Sequence, residues 1–317
     1  MNSTTSPPDA FPGHDGGHWA PVASEVVASW PQGHFAENVA VDPAGAVYVS
    51  LHSHNRIDRF DPKTRQVEEF ARLTAPAAGL AFDAAGALWV TGGAAGQAPG
   101  YIWRIRSGQP EPWVEIPDAL FMNGSTPHPD GRTLLVCESV TGRILAIDQK
   151  EKRWSVWLQD DRLRPKAPRK PGANGIKLHD GWAWISSTDL NLVVRSKIAA
   201  DGSAGPMEVV AEKLHADDFA FGESGAAYLA THPAQTVLRL QPDGGRETIA
   251  GPNEGAVGCT ACAFGRGAED RKSLYVTTIG GLLYPYRGEI QDAKLLRLNV
   301  GEDGQPLLPE RHDRSAP

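Results

Sequence analysis

Four oxygen-bearing side chains stand at corresponding positions in successive copies of a sequence repeat. The copies recur about every 45 residues, and the column just ahead of their first apolar run reads Glu37, Ala78, Asn123, Asn174, Asp217 and Thr260. If the copies surround a common axis, two carboxylates and two amides meet there. Converging carboxylates repel each other or stay unsatisfied without a cation. The column therefore predicts a metal site.

The donor atoms of this column indicate which cation it would hold. Carboxylate and amide oxygens are the ligands that Ca²⁺ accepts. Mg²⁺ and Mn²⁺ remain alternatives, and Zn²⁺ is less favoured because the column contains no histidine or cysteine. Asp218, in the neighbouring column, is a candidate fifth ligand or a partner of the ligands. The predicted metal ligands are therefore Glu37, Asn123, Asn174, Asp217 and Asp218.

Several other polar residues could complete a hydrolytic site around such a cation. A metal with open positions polarises a carbonyl or phosphoryl oxygen and positions a water. The proton of that water would pass to Asp217 or to a carboxylate at the rim, where Glu138 ends the second strand of the third repeat. His52, His232 and Asp189 follow second strands in other repeats, so we predict that they contact a small-molecule substrate.

The repeat itself indicates how these residues are positioned. The segment at 39–50, VAVDPAGAVYVS, returns at 80–91 as LAFDAAGALWVT and in four weaker copies. Each copy reads as two short strands joined by a glycine-bearing turn, with a third and often a fourth strand following. Six such units with almost no helical periodicity predict an all-β fold, a six-bladed β-propeller. The strand at 26–30 should join the last blade and close the ring.

Composition and charge indicate which partners and which cellular location to expect. The chain of 317 residues has a net charge of −7 and no long basic run, which argues against nucleic acid or anionic lipid as a partner. It has no apolar run long enough to cross a bilayer and no signal-peptide pattern, so we expect a cytoplasmic protein. We predict a flexible tail at 1–20, a propeller at 21–305 and a C-terminal tail at 306–317. The oligomeric state stays open.

Absent motifs narrow the enzyme classes but leave three functions open. The sequence contains no G-x-S-x-G, no H-E-x-x-H and no phosphate-binding loop. A metal-dependent lactonase or esterase is the first interpretation. The second is a binding module whose metal is structural, and the third is a non-hydrolytic propeller enzyme of the lyase or condensing type.

The chain resembles the six-bladed propellers of the regucalcin/gluconolactonase (senescence marker protein) superfamily, related to paraoxonase and diisopropyl fluorophosphatase. The stretches that carry the resemblance lie at 35–43, 122–139, 173–189, 215–225 and 258–267. It implies a catalytic Ca²⁺ or similar ion at Glu37, Asn123, Asn174 and Asp217, with Asp217 also proposed as general base and Asp218 as an added ligand in the paraoxonase branch. Ala78 and Gly79 stand where paraoxonases carry a catalytic histidine, so that mechanism is not implied.

Overall fold

The protein is described by a computed structural model that covers residues 17–167 and 170–306. Its strands, in chain order, are β1 (His18–Trp19), β2 (Ser24–Trp30), β3 (Ala36–Val41), β4 (Val47–Leu51), β5 (Arg56–Asp61), β6 (Gln66–Arg72), β7 (Ala77–Phe82), β8 (Leu88–Gly92), β9 (Gly100–Arg106), β10 (Gln109–Ile116), β11 (Met122–Pro127), β12 (Thr133–Glu138), β13 (Arg143–Asp148), β14 (Arg153–Gln159), β15 (Ala173–His179), β16 (Trp182–Ser187), β17 (Leu192–Ile198), β18 (Ala204–Glu212), β19 (Ala216–Phe221), β20 (Ala227–Thr231), β21 (Thr236–Leu240), β22 (Arg246–Ala250), β23 (Cys259–Phe264), β24 (Ser273–Thr278) and β25 (Ala293–Asn299). The helical segments among these residues are short 3₁₀ turns at His52–His54, Asp161–Leu163 and Pro252–Glu254.

The strands form six antiparallel sheets that are the blades of a propeller. Consecutive strands build each blade, from β3–β6 to β19–β22, and the last blade consists of β23, β24, β25 and β2. The first strand of each blade packs against the first strands of both neighbouring blades, and the β23–β3 contact closes this inner ring. The predicted six-bladed all-β fold is confirmed, as is the closure of the ring by the N-terminal strand β2.

The repeated turn explains why each copy folds locally into a hairpin. Asp42 Oδ1 accepts hydrogen bonds from the backbone N–H groups of Ala44 and Ala46, both at 2.9 Å, and Asp42 Oδ2 accepts one from the Tyr48 hydroxyl at 3.1 Å. Asp83 makes the equivalent bonds in the second blade, with the indole of Trp89 replacing the phenol. An aspartate at the turn and an aromatic residue on the second strand thus fix the register of the hairpin.

Both ends of the described chain form backbone hydrogen bonds with the fifth blade. Strand β1 pairs in parallel with β22 in the fifth blade, so ordered structure begins before the boundary predicted at residue 21. Backbone pairing fixes these two residues, and the predicted domain boundaries stay a prediction. Near the other end, the Gln305 backbone N–H donates to the Phe221 carbonyl at 2.9 Å. Residues 1–16 and 307–317, where the rest of the predicted tails fall, lie outside the described residues.

Apolar side chains fill the spaces between neighbouring blades. All three cysteines are buried free thiols, and burial raises the pKa of Cys137, Cys259 and Cys262. They therefore pack as small apolar side chains.

None of the segments that the structure describes forms a helix with the length and apolarity that a bilayer crossing requires.

A buried polar cluster joins the closing strand to the first blade. The Trp30 indole donates to Asp58 Oδ2 at 2.8 Å, and Arg56 Nε lies 2.7 Å from Asp58 Oδ1. Asp58 is only 3% exposed, so its loss would leave the buried Trp30 indole N–H without a partner and the half-buried Arg56 guanidinium without its nearest one.

We predict that Asp58→Ala lowers the free energy of unfolding by about 3 kcal/mol, measured by urea denaturation. Glu68→Ala is the matched control, because it removes the Arg59–Glu68 ion pair (3.1 Å) from the exposed face of the same blade, where such pairs contribute less than about 1 kcal/mol. Equal effects of the two substitutions would show that the cluster does not stabilise ring closure.

Candidate active site at one mouth of the central channel

Each of the six inner strands is irregular at the column that the sequence singled out. Pairing with the second strand shifts register between Ala36 and Asn38 in β3 and between Ala216 and Phe219 in β19. The same kind of shift flanks the column position in β7, β11, β15 and β23. A bulge interrupts the alternation of side chains and turns one of them in a new direction. Six bulges in register therefore present one column at one end of the channel.

Four members of this column share a cavity of about 270 Å³. They are buried between 2% and 7% exposure, and they are the oxygen-bearing residues Glu37, Asn123, Asn174 and Asp217. The other two members of the column are not among the oxygen donors of the cavity. Ala78 is fully buried, and Thr260 Oγ1 donates to the Ala36 carbonyl at 2.7 Å. The structure thus gathers side chains that are up to 180 residues apart in sequence.

Burial dominates the electrostatics of the two carboxylates. It raises the pKa of Glu37 to about 8, with Asp217 and Asp218 adding to the shift and His232 opposing it. It also raises the pKa of Asp217 well above the usual range, reinforced by the charge of Asp218 and opposed by a hydrogen bond from Asn174. Both shifts have the same cause: negative charge here lacks compensation from water or from a cation.

His232 contacts one of these carboxylates, that of Asp217. Its Nδ1 lies 3.3 Å from Asp217 Oδ2, and its Nε2 is buried without a hydrogen-bond partner among the described residues. Burial lowers the pKa of His232 to about 4, against the influence of Glu37, so the imidazole is neutral at pH 7. With Nδ1–H donating to Asp217, Nε2 is left as a proton acceptor at the cavity wall.

The donor atoms fit a hard divalent cation. Among the described residues no lysine or arginine forms an ion pair with Glu37 or Asp217. The Asn123 amide nitrogen is buried without a hydrogen-bond partner among the described residues, so no donation from this amide to the protein fixes the direction of its oxygen. Carboxylate and amide oxygens are the ligands that Ca²⁺ takes.

The two asparagines are essential to that fit. No group of three or more His, Cys, Asp or Glu side chains within 17–167 and 170–306 is arranged to hold a metal. The two carboxylates alone would leave a cation with too few protein ligands, since Ca²⁺ takes six to eight oxygens. A cation at this site would therefore need Asn123 and Asn174 as well as water or substrate.

Asp218 belongs to a layer beneath the four residues and not to their cavity. Its Oδ1 accepts from Lys177 Nζ at 2.5 Å and from the Phe219 backbone N–H at 2.8 Å, and its Oδ2 accepts from Asn38 Nδ2 at 2.9 Å. Gly175 makes room for it, because a Cβ there would lie 2.4 Å from Asp218 Oδ1. Both oxygens are thus engaged, which favours the predicted role as a partner of the ligands over that of a fifth ligand.

The structure corrects the prediction for Glu138. This side chain is fully buried and does not line the cavity. Its Oε1 accepts from the backbone N–H groups of Leu120 and Phe121, both at 3.1 Å, and its Oε2 accepts from that of Thr141 at 2.7 Å. A carboxylate held by so many donors fixes two loops and is not available as a general base.

The remaining predicted residues do line the cavity. His52 donates from Nδ1 to the Ala77 carbonyl at 2.9 Å. Asp189 Oδ2 accepts from the backbone N–H groups of Lys166 and Ala167 at 2.7 and 2.8 Å, so it holds the loop above the cavity as well as facing it. Their contact with a substrate stays a prediction.

Sequence reasoning missed most of the cavity's rim. Beyond the predicted residues, its lining includes Phe35, Phe121, Lys170, His215, Leu283 and Tyr284. Leu283 and Tyr284 belong to the long connection between β24 and β25, which has no counterpart in the other copies of the repeat. The unusual length of this connection and its adjacent apolar residues were the features of the sequence that could have predicted its place in the cavity.

Solved structures of known proteins share this fold. A luciferin-regenerating enzyme matches with a TM-score of 0.69 and 14% identity over 90% of this chain and 97% of its own. Regucalcin from Agrobacterium tumefaciens matches with 0.68 and 17% over 91% and 97%. A gluconolactonase from Xanthomonas campestris matches with 0.66 and 16% over 88% and 89%. No family model matches the chain, and neither does any curated protein sequence. The structural neighbours are thus six-bladed propellers of the regucalcin and gluconolactonase kind, as the sequence resemblance implied.

Proposed function

We propose that this protein is a divalent-cation-dependent hydrolase of lactones or esters, with Ca²⁺ as the expected ion. The observation that carries the proposal is the pair of buried carboxylates, Glu37 and Asp217, at the base of a cavity, with neither of them in an ion pair with a lysine or arginine of the described residues. One of the similar structures is described as a calcium-binding protein and another as a gluconolactonase, which supports the same class.

The residues that would hold the ion are Glu37, Asn123, Asn174 and Asp217. When bound, the cation would supply Lewis-acid polarisation of the substrate carbonyl. Asp217 serves as the general base or orients His232 Nε2 for that role, since His232 Nδ1 is within 3.3 Å of Asp217 Oδ2. In either case the proton leaves the attacking water at this pair, and the lactone ring opens as the carbonyl carbon gains the hydroxyl oxygen.

We expect EDTA to abolish hydrolysis of a panel of lactones and aryl esters, and added Ca²⁺ to restore it, because the buried carboxylates need the cation to stay ionised. Titration by pH-stat checks this, with Mg²⁺, Mn²⁺ and Zn²⁺ as comparisons. A chelator that lowers the melting temperature while no substrate is hydrolysed would indicate a binding module. Products without incorporated ¹⁸O from labelled water would indicate a lyase or condensing enzyme.

We predict that Asp217→Asn weakens Ca²⁺ binding on the order of 100-fold and abolishes activity. His232→Gln should retain the cation. A loss of about 10²–10⁴-fold in kcat would identify His232 Nε2 as the proton acceptor, and a smaller loss would leave that role to Asp217. Isothermal titration calorimetry and steady-state kinetics separate the two effects. His54→Gln is the matched control, because His54 is an exposed histidine that does not line the cavity. Full activity of Asp217→Asn would remove this residue from the site.

The raised pKa of Glu37 predicts how stability depends on pH without a cation. Its ordinary pKa of 4.5 rises to about 8 in the folded protein, so between these pH values the folded state keeps a proton that the unfolded state has lost. In EDTA, the free energy of unfolding should fall by roughly 2 kcal/mol between about pH 6 and about pH 8. Glu37→Gln or saturating Ca²⁺ should flatten this slope in urea titrations. If the free energy of unfolding of Glu37→Gln depended on pH as steeply as that of the unchanged protein, another group would be responsible for the dependence.

A further inference from the structure

One wall of the candidate active site is apolar and open to solvent. Leu283 is 56% exposed and Tyr284 is 42% exposed, and both line the cavity above the carboxylates. Phe35 and Phe121 continue the same lining. Large apolar side chains that stay exposed within a concave site mark a surface that a ligand covers.

This wall is held in place before any ligand binds. The Tyr284 carbonyl accepts a hydrogen bond from Gln235 Nε2 at 2.8 Å, across the boundary between the fifth and sixth blades. The Tyr284 ring packs edge-on against the His232 ring at a centroid distance of 5.7 Å. At the base of the same segment, the Gln291 backbone N–H donates to the Gly280 carbonyl at 2.8 Å. A surface fixed from both ends loses little entropy when a ligand packs on it.

Several polar side chains of the cavity already have protein partners. Thr188 Oγ1 donates to the Ala216 carbonyl at 2.8 Å and accepts from Asn174 at 3.0 Å. Asp189 Oδ2 accepts two backbone N–H groups, and His52 Nδ1 donates to the Ala77 carbonyl. At these positions a polyhydroxylated substrate would lose water from its hydroxyls without gaining a partner, which costs free energy. The unpartnered Asn123 Nδ2 and His232 Nε2 belong to the carboxylate end of the cavity, where the ester group would bind.

We propose that the site selects lactones that carry an alkyl arm over polyhydroxylated sugar lactones. The inference rests on the proposed function: the ester group lies at the carboxylates, and the arm lies against Leu283, Tyr284 and Phe121. Leu283 is the residue that sets this specificity, because it is the most exposed member of the wall and has the most apolar area to cover.

The test compares kcat/KM for γ-butyrolactone, γ-hexalactone, γ-octalactone, γ-decalactone and glucono-δ-lactone with Ca²⁺ present. Each added methylene should raise kcat/KM about two- to fourfold until the wall is covered, and gluconolactone should be the poorest substrate. Leu283→Ala should reduce the gain in kcat/KM per methylene, so that the loss relative to the unchanged protein grows with the length of the alkyl arm. Ile290→Ala is the matched control, since Ile290 is exposed on the same connection but does not line the cavity.

Binding of 2-alkylcyclopentanones, which cannot be hydrolysed, provides a second readout. Their affinity by calorimetry should rise with chain length in EDTA as well as in Ca²⁺, and Leu283→Ala should weaken the longest one most. Gluconolactone hydrolysis without any dependence on chain length would overturn the inference and leave the proposed function standing. Absence of lactone hydrolysis with every cation, despite chain-length-dependent ketone binding, would overturn the proposed function instead.

Discussion

The burial of two carboxylates at one end of the channel is the constraint on which the rest of the site depends. Removing Glu37 and Asp217 from water costs several kcal/mol for each ionised group, and the raised pKa of both residues reflects that cost. The surroundings do not neutralise them directly. The Lys177–Asp218 pair lies one layer below, and His232 is neutral. These buried oxygens are the basis of the cation site proposed above.

Two kinds of local structure make that cavity possible. Repeated turns, in which Asp42 and Asp83 accept backbone N–H groups and an aromatic O–H or N–H, fix each hairpin with bonds close in sequence. Bulges in the inner strands then turn one residue per blade toward the channel mouth. The turns give the blades their shape, and the bulges bring one residue from each blade to a common site. Glycines in the adjacent column, such as Gly175, let the layers pack this closely.

The two mouths of the channel differ in character, although the same strands form both. The mouth with the carboxylates has the rim of aromatic and apolar side chains. At the other end, Gln305 donates to the Leu178 carbonyl and contacts His179 Nδ1, and its own carbonyl accepts from Arg266. The chain near residue 305 thus covers the far mouth of the ring. This asymmetry leaves the carboxylate mouth as the place where variation in the connecting loops can change what binds.

Six copies of one pattern were sufficient to predict the propeller, its closure by β2 and the column of four oxygen donors, because hairpin turns and strand alternation depend on neighbouring residues. The tertiary structure decided the rest. Glu138 looked like a rim carboxylate, yet backbone N–H groups of Leu120 and Phe121 enclose it. The Asp217–His232 contact, the pairing of Asp218 with Lys177 and the apolar wall at Leu283 depend on how separate blades and an unrepeated loop approach each other. No local pattern encodes those distances, since they arise only when the ring closes.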